Sequence, residues 1–190
     1  MTQIDTVLLK VSSRCNIRCD YCYIYQMGDT GWMKMPKGMS QETISATIDA
    51  LKSLAETQNK GFAVVLHGGE PLALGKENLT FLLKGLRATL PAECKLSMQT
   101  NGTLLTKSIL DLCSETQTTI AVSLDGPEHI HNSHRLDANG QGTFERTIAG
   151  IQLLQSHPDK NLFAGILTVI DPQTKPEEIY TFFKQLEVPS

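Results

Sequence analysis

Short runs of β-branched and apolar residues recur at 6–11, 62–66, 96–100, 120–124 and 162–170, and the stretches between them carry apolar residues at helical spacing. This alternation predicts an α/β fold. In a first helix, with Ser40 as N-cap, Ile44, Ile48, Leu51 and Ala55 fall on one face, and later Phe144, Ile148, Ile151 and Leu154 do the same; both stripes read as core packing. A last helix is predicted from Thr174, Pro176 and Glu177, a Thr-x-x-Glu capping box with proline in its first turn, to about Leu186. Strands separated by helices imply a parallel sheet with right-handed crossovers, in which the loops leaving the strand C-termini carry the chemistry. The chemically suggestive segments fall there: cysteines after the first strand, HGGEP after the second, QTNG after the third and SLDG after the fourth. No other repeat, low-complexity tract or linker interrupts the rhythm.

With 190 residues, 41% hydrophobic and 19% charged, the chain can bury the core of one globular domain. A formal net charge of −3 and the lack of any Lys/Arg block argue against a nucleic-acid partner. No segment approaches the roughly 20 apolar residues of a membrane span, so a cytoplasmic protein with no membrane association is expected. In that reducing compartment an odd count of five cysteines points to metal or redox chemistry rather than disulfides.

Cys15, Cys19 and Cys22 have the spacing C-x3-C-x2-C, with no second C-x2-C downstream. A structural zinc site closes with four ligands, and an iron–sulfur cluster that only transfers electrons also takes four thiolates. Three thiolates on one loop would hold three irons and leave a fourth open to substrate. Gly68 and Gly69 lack side chains, which lets backbone approach a ligand, and Glu70 could take an ammonium group. Gln99, Asn101, Ser123 and Asp125 share the same rim, followed by Arg135; Ser123 reads equally as a strand-end serine bonded to backbone. His129, His131 and His134, spaced by two and three on a loop without an acid in a ligand pattern, read as surface or substrate-contacting rather than metal-binding. His67 lies beside HGGEP, near a cofactor or simply in the core. Cys94 and Cys113 read as buried thiols. Met27, Met33 and Met35 with Trp32 form a long loop that either covers the barrel end, the favoured reading, or grips an apolar peptide side chain.

The segment Cys15-Asn-Ile-Arg-Cys19-Asp-Tyr21-Cys22 resembles the C-x3-C-x-aromatic-C signature of the radical S-adenosylmethionine (SAM) enzymes. The resemblance implies a partial (β/α)6 TIM-like barrel, here about five β/α units. It further implies that Cys15, Cys19 and Cys22 hold a [4Fe-4S] cluster whose open iron chelates the amino and carboxylate groups of S-adenosyl-L-methionine. One electron then cleaves SAM to a 5′-deoxyadenosyl radical. By the same resemblance Gly68, Gly69 and Glu70 bind the methionine amino group, Asn101, Ser123 and Arg135 join the SAM contacts, and Tyr21 approaches the adenine.

The longer segments "LKVSSRCNIRCDYCYIYQMGD", "VVLHGGEPLALG", "QTNGTLL" and "AGILTVID" look like the radical SAM/SPASM maturases of ribosomally made peptides, most of all the cyclophane-forming subgroup. Anaerobic sulfatase-maturating enzymes, which form formylglycine, are similar but more distant. Both imply hydrogen abstraction from a Cβ of a precursor peptide, with an electron donor such as flavodoxin or ferredoxin; no catalytic base stands out. The family pattern continues into a sixth strand and a SPASM region, so residues 1–190 are expected to be a radical SAM core truncated before that strand. On that expectation the strand at 162–170 presents an open edge, and another chain or segment supplies the remainder. The alternative class is a non-catalytic SAM- and cluster-binding module that needs a partner chain.

Overall fold

The computed structural model describes residues 3–186 and Val188. Five strands, β1 (Thr6–Ser12), β3 (Ala63–Gly68), β4 (Lys95–Thr100), β5 (Thr118–Ser123) and β7 (Phe163–Leu167), form one parallel sheet in the order β1-β3-β4-β5-β7. The predicted alternation is met. Val64, Leu66, Leu96, Met98, Ile120 and Val122 point to one face and are buried, while Val65, His67, Ser97, Gln99, Ala121 and Ser123 point to the other and are half-buried. The buried face belongs to one core with α1 (Gln41–Gln58), α2 (Lys76–Thr89), α3 (Lys107–Glu115) and α5 (Phe144–Ser156). Each large apolar side chain withdrawn there contributes roughly 1.5–3 kcal/mol, which makes that face the foundation of the fold. Ser40 caps α1 as expected, accepting from the Thr43 amide at 3.2 Å, and Cys94 and Cys113 are fully buried.

Four expectations need correction. The strand predicted over 162–170 is shorter: Leu162 lies in a 3-10 turn, the pairing skips Ala164, and the chain leaves the sheet after Leu167. It leaves because other partners take over, with Thr168 Oγ1 donating to the Leu124 carbonyl and the Val169 amide donating to Asp125 Oδ1 at 3.0 Å. The capping box on α6 (Pro176–Gln185) does not form. Lys175 rather than Thr174 is the N-cap, with no side-chain cap hydrogen bond, and the Thr174 hydroxyl donates to the Asp171 carbonyl at 2.7 Å. Met27, Met33 and Met35 are exposed, and of that loop's large apolar residues only Trp32 is half-buried. Finally, the histidine segment is a helix, α4 (Glu128–His134), running directly into β6 (Arg135–Asp137), which pairs antiparallel with β2 (Ile17–Cys19). The truncation expected after the fifth unit rests on Ser190, which lies outside the described residues. Among the described residues no helix is long and apolar enough to cross a membrane.

Within α4 the three histidines have three separate fates. His129 is exposed beside Glu178, and His134 lies between Asp20 and Asp171. His131 is fully buried, contrary to a surface or substrate-contacting role. Its tautomer follows from its partners: Thr143 Oγ1 donates to the Arg135 carbonyl and so accepts from His131 Nε2–H at 3.0 Å, which leaves Nδ1 to accept from the Asp125 amide at 3.4 Å. A second proton on Nδ1 would face an N–H donor. Burial accordingly pushes His131 down from the ordinary 6.5 to about 4. Because the folded value is depressed, the neutral ring's stabilisation is complete above the unfolded value and lost as pH falls through this window, a change of about 3 kcal/mol. Urea unfolding of the wild type should show this acid slope between pH 6.5 and 4, and His131→Gln should flatten it. Equal slopes in the two proteins would refute the assignment.

Candidate cofactor site

The cysteine loop leaves β1 at Ser12 and is anchored by backbone before any side chain is considered. The Gly69 amide donates to the Ser12 carbonyl at 2.9 Å and the Glu70 amide to the Arg14 carbonyl at 2.8 Å. Cβ atoms at Gly68 and Gly69 would collide with the main chain of Ser12 and Arg14, respectively. The two glycines were expected to admit a ligand; what they visibly admit is the protein's own cysteine loop.

Glu70 is likewise engaged within the protein. Its carboxylate, expected to face an ammonium group, is buried and turned inward, accepting from the Leu72 amide at 3.1 Å, Thr100 Oγ1 at 2.6 Å and the Asn101 amide at 2.9 Å. Burial raises its pKa while the three donors act in the opposite direction. The side chain therefore ties the end of β3 to the end of β4. Asn101, positioned by that tie, sends its Nδ2 to Asn16 Oδ1 at 2.9 Å and toward the Cys15 sulfur at 3.8 Å. Thus the turn after β4 holds the first cysteine.

The third cysteine-loop anchor is the small sheet. Register places Cys19 opposite Arg135, and Arg135 Nη1 lies 3.9 Å from the Cys19 sulfur. The rest of the buried guanidinium is gripped by Asp125, Nε to Oδ2 at 2.7 Å and Nη2 to Oδ1 at 3.0 Å. Tyr21 also donates its hydroxyl to Asp125 Oδ2, with the Arg135 guanidinium 5.5 Å from its ring centre. Burial would lower the Arg135 pKa, but the Asp125 carboxylate more than offsets it. Burial also raises the Tyr21 phenol, keeping it a hydrogen-bond donor. Tyr21 and Arg135 were both expected to touch a cofactor, and the structure makes them one unit centred on Asp125, a residue named at the rim but given no role. Ser123 accepts from Gln99 Nε2 at 2.9 Å on the half-buried face of the sheet, apart from that unit's hydrogen bonds. His67, on the same face, is kept below the ordinary value by burial, with Lys10 adding to the effect.

All three cysteines of the loop are free and half-buried. Burial pushes Cys15 up to about 11 and Cys19 up to about 12, so without a metal they stay protonated. Among the described residues no His, Cys, Asp and Glu side chains converge tightly enough to hold a single metal ion. A cluster asks for something else: each iron takes one thiolate, so the sulfurs stand further apart than the ligands of one ion. Three nearby thiols, Asn101 and Arg135 donating toward two of them, and a cavity of about 340 Å³ lined by Cys15 and Cys19 fit that donor set.

Comparison with known proteins follows the same loops. The cysteine-type anaerobic sulfatase-maturating enzyme of Clostridium novyi (strain NT) is 31% identical over 97% of this chain and 49% of its own length. The serine-type enzyme of Klebsiella aerogenes is 34% identical over 84% of this chain and 39% of its own. The chain thus spans about half the length, or less, of these curated relatives. Among solved structures, native anSMEcpe with bound AdoMet superimposes with a TM-score of 0.83 at 28% identity, covering 97% of this chain and 50% of that one. Native anSMEcpe with bound AdoMet and Cp18Cys peptide does so with a TM-score of 0.80 at 28% identity, covering 97% and 49%. Residues 9–186, from within β1 to the end of α6, match the Radical SAM superfamily, whose members use a [4Fe-4S] cluster and AdoMet. With that match running through every loop that converges on the three cysteines, the chain belongs to the radical SAM superfamily.

Proposed function

We propose that this chain is the cluster- and AdoMet-binding core of a radical SAM enzyme that removes a hydrogen from a Cβ of a peptide substrate. The observation that carries the reading is the cysteine loop held at Cys15 by Asn101 and at Cys19 by Arg135, in a fold superimposable on an AdoMet- and peptide-bound relative. When bound, the cluster and AdoMet supply a one-electron reductive cleavage that generates a 5′-deoxyadenosyl radical. Cys15, Cys19 and Cys22 would hold the cluster. Asn101 and Arg135 favour the deprotonated sulfurs by donating toward them. Glu70 acts as a brace for this loop, so the GGEP turn would serve AdoMet through its main chain rather than its carboxylate. Ser123, with its hydroxyl proton free to donate, and Gln99 present polar atoms on the opposite sheet face for cofactor or substrate.

For the peptide product, the cysteine- and serine-type sulfatase-maturating relatives support the formylglycine-forming reading. Cyclophane formation, the favoured expectation from the sequence segments, takes second place because none of these relatives carries it. Both belong to the whole protein, of which this chain matches about half in its relatives.

The test is anaerobic reconstitution followed by AdoMet and dithionite. The chain should retain iron and release 5′-deoxyadenosine, and alanine at Cys15, Cys19 or Cys22 should abolish both. A single cysteine variant with full iron content and unimpaired cleavage would sink the reading. Incubation of the whole protein with a cysteine- or serine-containing sulfatase peptide, followed by mass spectrometry for the aldehyde, separates formylglycine formation from cyclophane formation.

A further inference from the structure

Among the described residues, three buried side-chain polar atoms lack a hydrogen-bond partner, and two of them, Tyr25 Oη and Trp32 Nε1, belong to the same wall of the cysteine loop. A buried donor without an acceptor costs about 1–3 kcal/mol, so such a pair calls for a reason. Tyr25 and Trp32 line the 340 Å³ cavity together with Cys15 and Cys19. The position of the Tyr25 hydroxyl is determined from two sides. It lies close against the point where a Cβ on Gly69 would be, as does the Arg14 carbonyl oxygen, and within electrostatic reach of Cys15 and Cys22. Trp32 meets the Tyr25 ring edge-on at 4.8 Å.

The segment that carries Trp32 is held in place by its neighbours. Arg14 stacks over Trp32 at 5.1 Å and donates to the carbonyls of Trp32 at 2.8 Å, Met33 at 3.3 Å and Met35 at 3.4 Å. Ser13 Oγ donates to the Pro36 carbonyl at 2.6 Å. The orphaned donors therefore do not result from a loosely placed loop. What they lack is an acceptor of the right kind. A protonated thiol accepts hydrogen bonds weakly, whereas a metal-bound thiolate or a sulfide is negative and accepts well.

We propose that Tyr25 Oη–H and Trp32 Nε1–H are hydrogen-bond donors to sulfur of the iron–sulfur cluster and that they raise its reduction potential. The inference rests on the cluster assignment made above. Donation to sulfur stabilises the more negative, reduced state, and hydrogen bonds of this kind are one of the levers by which a protein sets a cluster's potential. Tyr25 suits the task because burial keeps its phenol protonated.

The experiment uses the anaerobically reconstituted protein, with the midpoint potential followed by electron paramagnetic resonance during a redox titration. Tyr25→Phe keeps the ring and removes one donor; Trp32→Phe removes the other. Each variant should retain wild-type iron content, show a more negative midpoint, and lack one of the exchangeable-proton couplings to the reduced cluster that the wild type shows in H2O and loses in D2O. An unchanged midpoint with full iron content overturns the proposal, and so does loss of iron from Tyr25→Phe, which would make the hydroxyl a structural element of the loop. Failure of the underlying reading looks different: a wild-type chain that assembles no cluster at all.

Discussion

Replacing Asp125 with alanine is expected to destabilise the folded chain by about 3–5 kcal/mol, because it leaves the buried Arg135 guanidinium without its counter-charge. The same change removes the acceptor of the Tyr21 hydroxyl and of the Val169 amide, which connects the cysteine loop to the segment leaving β7. Against a typical total of 5–15 kcal/mol for a domain, a loss of this size should be plain in urea unfolding at neutral pH. Asp125→Asn retains an acceptor for Val169 but not the charge, and should fall between wild type and alanine. Arg135→Ala should be comparably damaging, for the converse reason that it leaves the buried carboxylate without its counter-charge. It should also lower iron retention, since Arg135 Nη1 faces the Cys19 sulfur. A loss below about 1 kcal/mol in Asp125→Ala would mean that water reaches this pair and that the network does not hold the loop.

The second large effect is expected from a single methyl group. Gly69→Ala places a Cβ against the Arg14 carbonyl and the Tyr25 hydroxyl, with the Arg14 carbonyl carbon at 2.5 Å. Backbone cannot swing away as the tip of a flexible side chain can. The Arg14 carbonyl is also the acceptor of the Glu70 amide, so relief of the clash breaks a bond that seats the cysteine loop. Overpacking of this kind costs about 1–3 kcal/mol. Iron content after reconstitution should fall to a small fraction of wild type. A control on the same loop is Gly28→Ala: its backbone is left-handed at φ +84°, but no atom lies within 4 Å of the added carbon. That variant should lose about 1 kcal/mol from backbone conformation alone while keeping its iron. Iron retention in Gly69→Ala equal to that in Gly28→Ala would contradict the seating argument. Reading the glycines from the sequence alone, as room for a ligand, would have forecast loss of AdoMet with the cluster intact. The structure forecasts loss of the cluster as well.

The division between what local pattern decides and what only the fold decides is visible in particular residues. The alternation through Val64 and Leu66, Leu96 and Met98, and Ile120 and Val122 determined the strands, because a side chain's face in a strand depends on its immediate neighbours. Helical spacing in α1 and the Ser40 cap are equally local, and the positions of the functional loops followed from strand order. The Cys15, Cys19 and Cys22 spacing pointed to a cluster because all three thiols sit on one loop. Nothing local distinguishes Glu70 as a brace from Glu70 as a ligand: its partners Thr100 and Asn101 are 30 and 31 residues away. Asp125 became the centre of the site only when folding brought Tyr21 within reach across 104 residues, and Arg135 met Cys19 across 116. The second meeting depends on pairing between β2 and β6, strands of three residues each. Such strands are too short to show a periodicity, and their stability comes from the tertiary surroundings rather than from residue preference. The capping box failed because α6 starts at Pro176 with Lys175 as its N-cap, one residue later than a Thr174 cap would need. The chain's own pattern thus decided which segments would surround the cysteines. Their packing decided which polar groups would hold those cysteines in place, because a buried donor or acceptor takes whichever partner the folded backbone brings within about 3 Å.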